Sequence, residues 1–275
     1  MVPIINERIS RLFEGFDNAM RADKAIVLNN AFSSLAGDIV IQQLFGEHYD
    51  FVGNENFESP IPALFQQFTD FYHLARFIPG LLSYLRRLPV PFIRLISPSS
   101  PTAKDFYYRL RDKVNLLSKD TELKEAATMI SMLLNNTAIE DEERSPQRVF
   151  DEALIFVGAG AETLSRAMRV GFFHLLNDKL ILARLRQELR TLPPPQEELY
   201  VLSKLEGLTY LQVVLTEHEN GVVHEALRLS FGPISRRPRI ATEEILHYDT
   251  WAIPAGILTL SNPNVGSEMA KKTST

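Results

Sequence analysis

Apolar residues along this chain recur mostly at intervals of three and four, the spacing that gathers them on one side of an α-helix. The spacing predicts helices over residues 3–22, 27–44, about 65–79, 101–118, 122–135 and 179–192. Gly46 follows the second of these helices and suits a left-handed helix cap. Near the C-terminal end, residues 242–251 and 251–260 are typical of short strands, with a turn over residues 253–256.

The longest predicted helix runs from Ser145 to about Leu176. Ser145 can accept a hydrogen bond from a first-turn N–H, and Pro146 fits the first helical position because no donor is needed there. No proline follows before Pro193, so about 30 residues of helix, about 45 Å long, can form. Residues 153–161 are apolar all round, which predicts a helix buried on every side.

Two glycines in this helix, Gly158 and Gly160, need a physical reason, because glycine in a helix interior costs about 0.5–1 kcal/mol relative to alanine. Close approach of a large flat group is one reason, and close packing of a neighbouring helix is the other. Thr163 can donate its hydroxyl back to the carbonyl of residue 159 and bend the helix locally. Together with Glu162, this hydroxyl would suit a proton-delivery point.

Composition narrows the class of protein. Hydrophobic residues make up 45% and charged residues 23%, as in ordinary soluble globular proteins. The net charge of −5 argues against nucleic-acid binding, which needs a basic surface. No apolar run of about 18 residues occurs, so we expect no membrane-spanning helix and a soluble, cytoplasmic product from these residues as written. The chain has no cysteine, which excludes disulfides, zinc–thiolate sites and cysteine nucleophiles among its residues.

A second motif consists of Glu225 and Arg228 on another predicted helix. An acid and a base three residues apart share one helix face, where they can pair or together hold a third group. By itself this spacing usually marks an ordinary surface pair. Its context is more specific, because it has a leucine- and tyrosine-rich lead-in and is followed by several arginines: Leu202, Leu205, Tyr210 and Leu211 before it, and Arg236, Arg237 and Arg239 after it.

The order of these motifs resembles the C-terminal half of a cytochrome P450, especially of the fungal microsomal type. The matching residues are Ala159-Gly160-Ala161-Glu162-Thr163, for the family's A-G-x-[D/E]-T, and Glu225 with Arg228 for its E-x-x-R. The resemblance covers about residues 1–262 and leaves residues 263–275 as a polar tail. It implies a mainly α P450-like fold with a small β portion around a haem. It also implies a monooxygenase of secondary metabolism that inserts one oxygen atom from O₂ into an apolar small-molecule substrate.

The resemblance also implies roles for individual residues. Glu162 and Thr163 would help to deliver protons to the oxygen, while Ala159 and Gly160 would leave room above the porphyrin. Arg239, or second to it Arg236, would pair with a haem propionate, which suits a guanidinium group. Glu225 and Arg228 would be structural. NADPH-cytochrome P450 reductase would supply the electrons, and a full-length member would reside at the endoplasmic reticulum membrane.

The sequence departs from the family at both ends. The family's first helices, its membrane anchor and its C-terminal haem-cysteine loop are missing, so we expect an incomplete fold. The cysteine thiolate is the iron's axial ligand in this family, and no histidine, His174 and His224 included, stands in its place. We therefore expect no metal ligand here and no catalysis by the chain as written. The alternative is a non-catalytic helical protein that binds a partner or an apolar ligand. A cysteine loop encoded beyond Thr275 in the gene would favour the first interpretation.

The segment that leads into the E-x-x-R motif is longer than in the family. Glu217 stands where the family's spacing places the glutamate, but His218-Glu219-Asn220 follow it instead of the rest of the motif. Residues 215–222 therefore have the character of an insertion.

This insertion generates the first prediction. Asn220-Gly221 is a strong turn signal, so we expect the chain to loop residues 215–222 out. Their deletion would restore one unbroken helix into the Glu225–Arg228 motif and should raise the melting temperature. Limited proteolysis should cut first within residues 217–222. A lower melting temperature after the deletion would mean that the segment belongs to the fold.

Overall fold

The computed structural model describes residues 2–47, 49–66, 69, 101–119, 128–192, 202–212, 222–230, 237–248 and 250–261. The helix expected to end near Pro79 lies outside them except for helical residues 61–66 and 69. Residues 215–221 of the expected insertion and residues 122–127 of the predicted helix 122–135 lie outside as well. The described helices are α1 (Val2–Arg21), α2 (Leu28–Phe45), α3 (Pro101–Lys119), α4 (Met129–Asn135), α5 (Pro146–Asn177), α6 (Lys179–Leu189), α7 (Leu202–Glu206), α8 (Thr209–Gln212) and α9 (Val222–Leu229). The predicted mainly α fold is confirmed.

The helix ends show why most predicted boundaries agree with the structure to within a few residues. Gly46 ends α2 with a φ of +75°, and its N–H donates to the carbonyl of Gln42 at 2.8 Å, as its left-handed cap predicts. Asp178 begins α6 by accepting from two first-turn N–H groups. Thr128 begins α4 in the same way, accepting from the N–H of Ser131 at 3.1 Å.

The central helix α5 is continuous over 32 residues, and Pro146 occupies its first turn, as predicted. The predicted cap at Ser145 is wrong, because its side chain makes no capping hydrogen bond. Its carbonyl instead accepts from the N–H of Val149 at 3.0 Å. The prediction that the middle of α5 is buried on every side is also wrong, since Ile155 is 59% exposed.

The main hydrophobic core forms where one side of α5 packs against α2, α3 and α4. Its fully buried members come from all four helices and from residue 61: Ile41, Leu44, Ile61, Leu110, Val114, Ile130, Val149, Phe150, Ala153, Val157 and Ala161. This core therefore fixes one face of α5.

A buried carboxylate connects α2 to the loop that follows it. Asp38 is fully buried, and its two oxygens accept from the N–H groups of Phe51 at 3.1 Å and Val52 at 3.0 Å. Burial raises the pKa of Asp38, while the two backbone hydrogen bonds and Arg8 oppose that shift. Asp38 thus holds the 3₁₀ helix Phe51–Gly53 against α2.

Residues from Ser230 onward form a separate unit of short strands. Strand β1 (Arg237–Ile240) pairs antiparallel with β4 (Leu258–Ser261), and β2 (Leu246–Tyr248) pairs antiparallel with β3 (Trp251–Ile253). The predicted turn is confirmed, because the N–H of Ile257 donates to the carbonyl of Pro254 and Gly256 has a φ of +80°. The two long predicted strands are replaced by shorter pieces.

Candidate functional site

The candidate site lies on the side of α5 that faces away from the core. Ile155, Phe156, Ala159 and Thr163 are all exposed there, Ile155 by 59% and Phe156 by 40%. These four side chains lie within about 100° of one another around the helix axis, on one side of the helix that we call the open stripe. The opposite side, with Ala153, Val157 and Ala161, is closed by the core. The open stripe is therefore an apolar surface with a single hydroxyl.

The Thr163 hydroxyl donates to the carbonyl of Ala159 at 2.6 Å, as the sequence predicted. This hydrogen bond gives the hydroxyl a defined direction along the open stripe. It leaves the hydroxyl oxygen able to accept a further hydrogen bond from another group. Ala159, one turn earlier, presents only a methyl group on the same side of the helix.

Glu162 precedes Thr163 and is half-buried. Its backbone carbonyl accepts from the hydroxyl of Ser165 at 3.2 Å. Among the residues that the structure describes, its carboxylate has no hydrogen-bond or ion-pair partner. The acid and the hydroxyl predicted to act together are thus neighbours on the helix, and the carboxylate is not committed to a salt bridge there.

Gly160 has a packing role that corrects the sequence interpretation. A methyl group built on Gly160 would lie 2.8 Å from a γ-methyl of Val40 on α2, well inside ordinary carbon–carbon contact. Gly158 is close to the Phe65 ring in the same way, at 2.9 Å. The expectation that Gly160 faces the space of a porphyrin is therefore wrong, since its free side faces α2. Close helix packing, the second of the two reasons considered for these glycines, accounts for both.

The Glu225–Arg228 pair forms on α9 as a two-point salt bridge. Arg228 Nε donates to Glu225 Oε2 at 2.7 Å, and its Nη2 donates to the other carboxylate oxygen. The Glu225 side chain is 32% exposed and that of Arg228 is 61% exposed. In the described part of the chain no third residue joins the pair. The two side chains are thus hydrogen-bonded to each other.

The salt bridge shifts the pKa values of both partners. The hydrogen bond from Arg228 lowers the pKa of Glu225, burial opposes this shift, and His174 on α5 lowers the pKa further. Glu225 in turn raises the pKa of Arg228. His174 and His224 are exposed, as expected of surface residues. The sequence did not predict that His174 lowers the pKa of Glu225. Gly171, in the same turn of α5, was an available signal, because a glycine inside a helix needs a physical reason there as at residues 158 and 160.

The two arginines predicted near a haem propionate belong to the C-terminal unit. Arg236 lies outside the described residues, and Arg239 lies in β1, opposite Thr259 of β4. In the described part of the chain no cluster of histidine, aspartate and glutamate side chains could hold a metal ion. Nor does any described helix have the length and apolar character needed to cross a membrane.

Comparison with known proteins decides the family. The cytochrome P450 family model matches residues 1–265. The chain belongs to the cytochrome P450 family. The predicted family is thereby confirmed, and with it the dependence on haem as a family property.

Among curated members of this P450 family, similar proteins are fungal. The chain is 38% identical over 257 residues to the cytochrome P450 monooxygenase TRI4 of Trichoderma arundinaceum. It is 37% identical to TRI4 of Fusarium sporotrichioides and 37% identical to SAT11 of Stachybotrys chartarum. Each match covers 92% of this chain but only 47–48% of the relative, so the chain spans about half the length of the curated relatives it matches.

A solved P450 shows the same fold. The crystal structure of the cytochrome P450 CYP102L1 matches with a TM-score of 0.62 at 16% identity. The match covers 94% of this chain and 52% of that one. The predicted P450-like fold is confirmed.

The Glu225–Arg228 salt bridge predicts that the stability of the protein depends on pH. Because Arg228 lowers the pKa of Glu225, the pair adds stability above the ordinary glutamate range, and this stability is lost as pH falls through the lowered pKa. Arg228→Gln should therefore shift the urea midpoint slightly downward at pH 7, and the difference from wild type should shrink toward pH 4. Arg186→Gln, at an exposed arginine of α6, is the control. A wild-type difference that stays constant with pH would contradict the pairing.

Proposed function

We propose that this chain supplies the oxygen side of the haem site of a fungal P450 monooxygenase. The observation that carries the proposal is the open stripe on α5, an apolar surface with one oriented hydroxyl on a helix whose other side is fixed by the core. A flat apolar macrocycle suits such a surface, because burial against Ile155, Phe156 and the Ala159 methyl removes apolar area from water. A bound haem would supply the activation of O₂ at its iron.

The residues of the stripe divide the work. Ala159 leaves space next to the porphyrin, and Ile155 and Phe156 exclude water from the reacting centre. The Thr163 hydroxyl donates its proton to the Ala159 carbonyl and would deliver it to a group above the stripe by turning away from that carbonyl. Glu162, with no salt bridge among the described residues, would return the proton to Thr163 from solvent. Gly160 supports these residues by letting α5 approach α2.

The open stripe suits one face of a haem, but the ligand for the iron on the opposite face is not among these residues. The 275 residues contain no cysteine, so the thiolate that the family uses as the axial ligand is not among them. We therefore propose that the chain as written binds no thiolate-ligated haem and is not active. Arg239, or second to it Arg236, remains our proposal for the propionate partner, because a guanidinium group forms strong paired hydrogen bonds with a carboxylate.

The substrate and partners follow from the same proposal. Activation of O₂ requires electrons from outside the protein, so we propose NADPH-cytochrome P450 reductase as the redox partner of the complete enzyme. The apolar stripe favours an apolar small molecule as the substrate, and the similarity to fungal monooxygenases TRI4 and SAT11 supports a place in secondary metabolism.

A chimaera tests the proposed haem face. Residues 1–262 would replace the matching segment of TRI4 from Trichoderma arundinaceum, so that the relative supplies the rest of the fold. Ala159→Phe places a ring on the open stripe and should lower haem content at least about tenfold. Ala183→Phe, the same change at an exposed alanine of α6, should leave it unchanged. Equal haem content in both variants would overturn the proposal.

The unmodified chain tests the missing thiolate. After incubation with haem, reduction and exposure to carbon monoxide, its absorption spectrum should lack the red-shifted band of a thiolate-ligated haem. It should also form no product with a reductase. The chimaera is the positive control for the band. Observation of the band in the 275-residue chain would mean that another group serves as the ligand, and the proposed inactivity would be wrong.

A further inference from the structure

The helix that carries Glu225 and Arg228 packs closely on the C-terminal half of α5. A methyl group built on Gly171 of α5 would lie 2.8 Å from the Cβ of Ala226 on α9. Apolar carbons are in optimal contact at about 3.5–4.0 Å, so no side chain larger than hydrogen fits at residue 171 without moving α9. Ala226 lies between the two members of the salt bridge in sequence. This close contact between the helices therefore lies inside the E-x-x-R motif.

A charge interaction accompanies this contact. His174 follows Gly171 by three residues, so the two share one face of α5. Its charge favours the ionised form of Glu225 and adds to the effect of Arg228 on the pKa of that carboxyl. The central helix thus meets α9 through both a steric contact and an electrostatic one.

The preceding helix, α8, is held by a different neighbour. Both carboxylate oxygens of Glu188 on α6 accept from backbone N–H groups in the first turn of α8, from Tyr210 at 2.7 Å and from Leu211 at 2.9 Å. One turn earlier on α6, the guanidinium carbon of Arg184 lies 4.3 Å from the centre of the Tyr210 ring. These contacts satisfy free N–H groups of α8 and fix it to α6.

We propose that Gly171 and Ala226, assisted by His174, are positioning residues that fix the Glu225–Arg228 pair directly on the central helix. The pair then takes its place mainly from α5, which α9 contacts more extensively than it contacts α8, while α6 holds α8 through Glu188. Additional residues between α8 and α9 can be accommodated on this basis, because each flanking helix has its own attachment. The inference rests on the proposed function for the importance of the pair, but the contact itself needs no haem.

Transferring a methyl group from residue 226 to residue 171 tests the steric contact between α5 and α9. In the 275-residue chain, Gly171→Ala should lower the melting temperature by about 3–5 °C through overpacking against Ala226. Ala226→Gly should lower it by about 2–4 °C through lost helix propensity. The double variant removes the clash and should return to within about 2 °C of wild type. Gly207→Ala is the control, because its methyl would meet only backbone oxygens at 3.5 and 3.8 Å.

Carboxyl NMR separates positioning from general stability. His174→Gln should raise the pKa of Glu225 in the wild-type background and should raise it less in Gly171→Ala, because α9 has there moved away from His174. The double variant should recover the wild-type response. If Gly171→Ala does not fold, recovery of folding in the double variant is the supporting result. The inference would be overturned by a double variant whose loss equals the sum of the two single losses. It would also be overturned if His174→Gln changed the Glu225 pKa equally in wild type and in folded Gly171→Ala. Neither readout involves haem, so failure here is distinct from failure of the proposed function.

Discussion

The close approach of α2 to α5 is the contact on which the rest of the structure depends. It is possible because Gly160 presents no side chain to Val40, and Gly158 makes similar room for Phe65. Each glycine costs up to about 1 kcal/mol of intrinsic helix stability, which the large buried surface between the helices offsets. With one side fixed in this way, the direction of the open stripe follows from helix geometry alone.

The two sides of α5 differ in burial and in the residues that they carry. The core side carries small and branched residues that pack, such as Ala153, Val157 and Ala161. The open side carries Ala159 and Thr163, the residues that we propose face the haem, and the Thr163 hydroxyl donates to the Ala159 carbonyl. Further along the same helix, Gly171 gives α9 and its salt bridge a place to pack. The spacing of small residues along α5 therefore arranges both motifs.

The sequence predicted the elements better than their surroundings. Periodicity and cap residues such as Gly46 are local signals, so the bounds of α1, α2 and α5 agree closely with the structure. The apolar run over residues 153–161 does not reveal which side has a protein neighbour, and a fully buried helix was wrongly expected. The short strands also depend on distant partners, since β1 pairs with β4, and periodicity within one segment cannot predict that pairing.

The candidate site divides in the same way. The pair Glu225–Arg228 and the hydrogen bond of Thr163 depend on residues three or four apart, so both were predictable. The roles of Gly160, Gly171 and Glu188 depend on residues from other helices, which a single sequence does not bring together. The glycines still gave a usable signal, because a glycine inside a helix needs a reason, but the sequence could not choose between a ligand and a neighbouring helix.

The most direct measurement is a double-mutant cycle at residues 160 and 40, followed by urea unfolding. In the wild-type background, Gly160→Ala should leave the free energy of unfolding unchanged or lower it by up to about 2 kcal/mol. Overpacking against Val40 costs about 1–3 kcal/mol, while the gain in helix propensity is about 1 kcal/mol. In the Val40→Ala background, the new methyl group has space, so the same change should stabilise the protein by about 1 kcal/mol. An equal effect of Gly160→Ala in both backgrounds would contradict the packing role of Gly160 and return the porphyrin-facing interpretation to consideration.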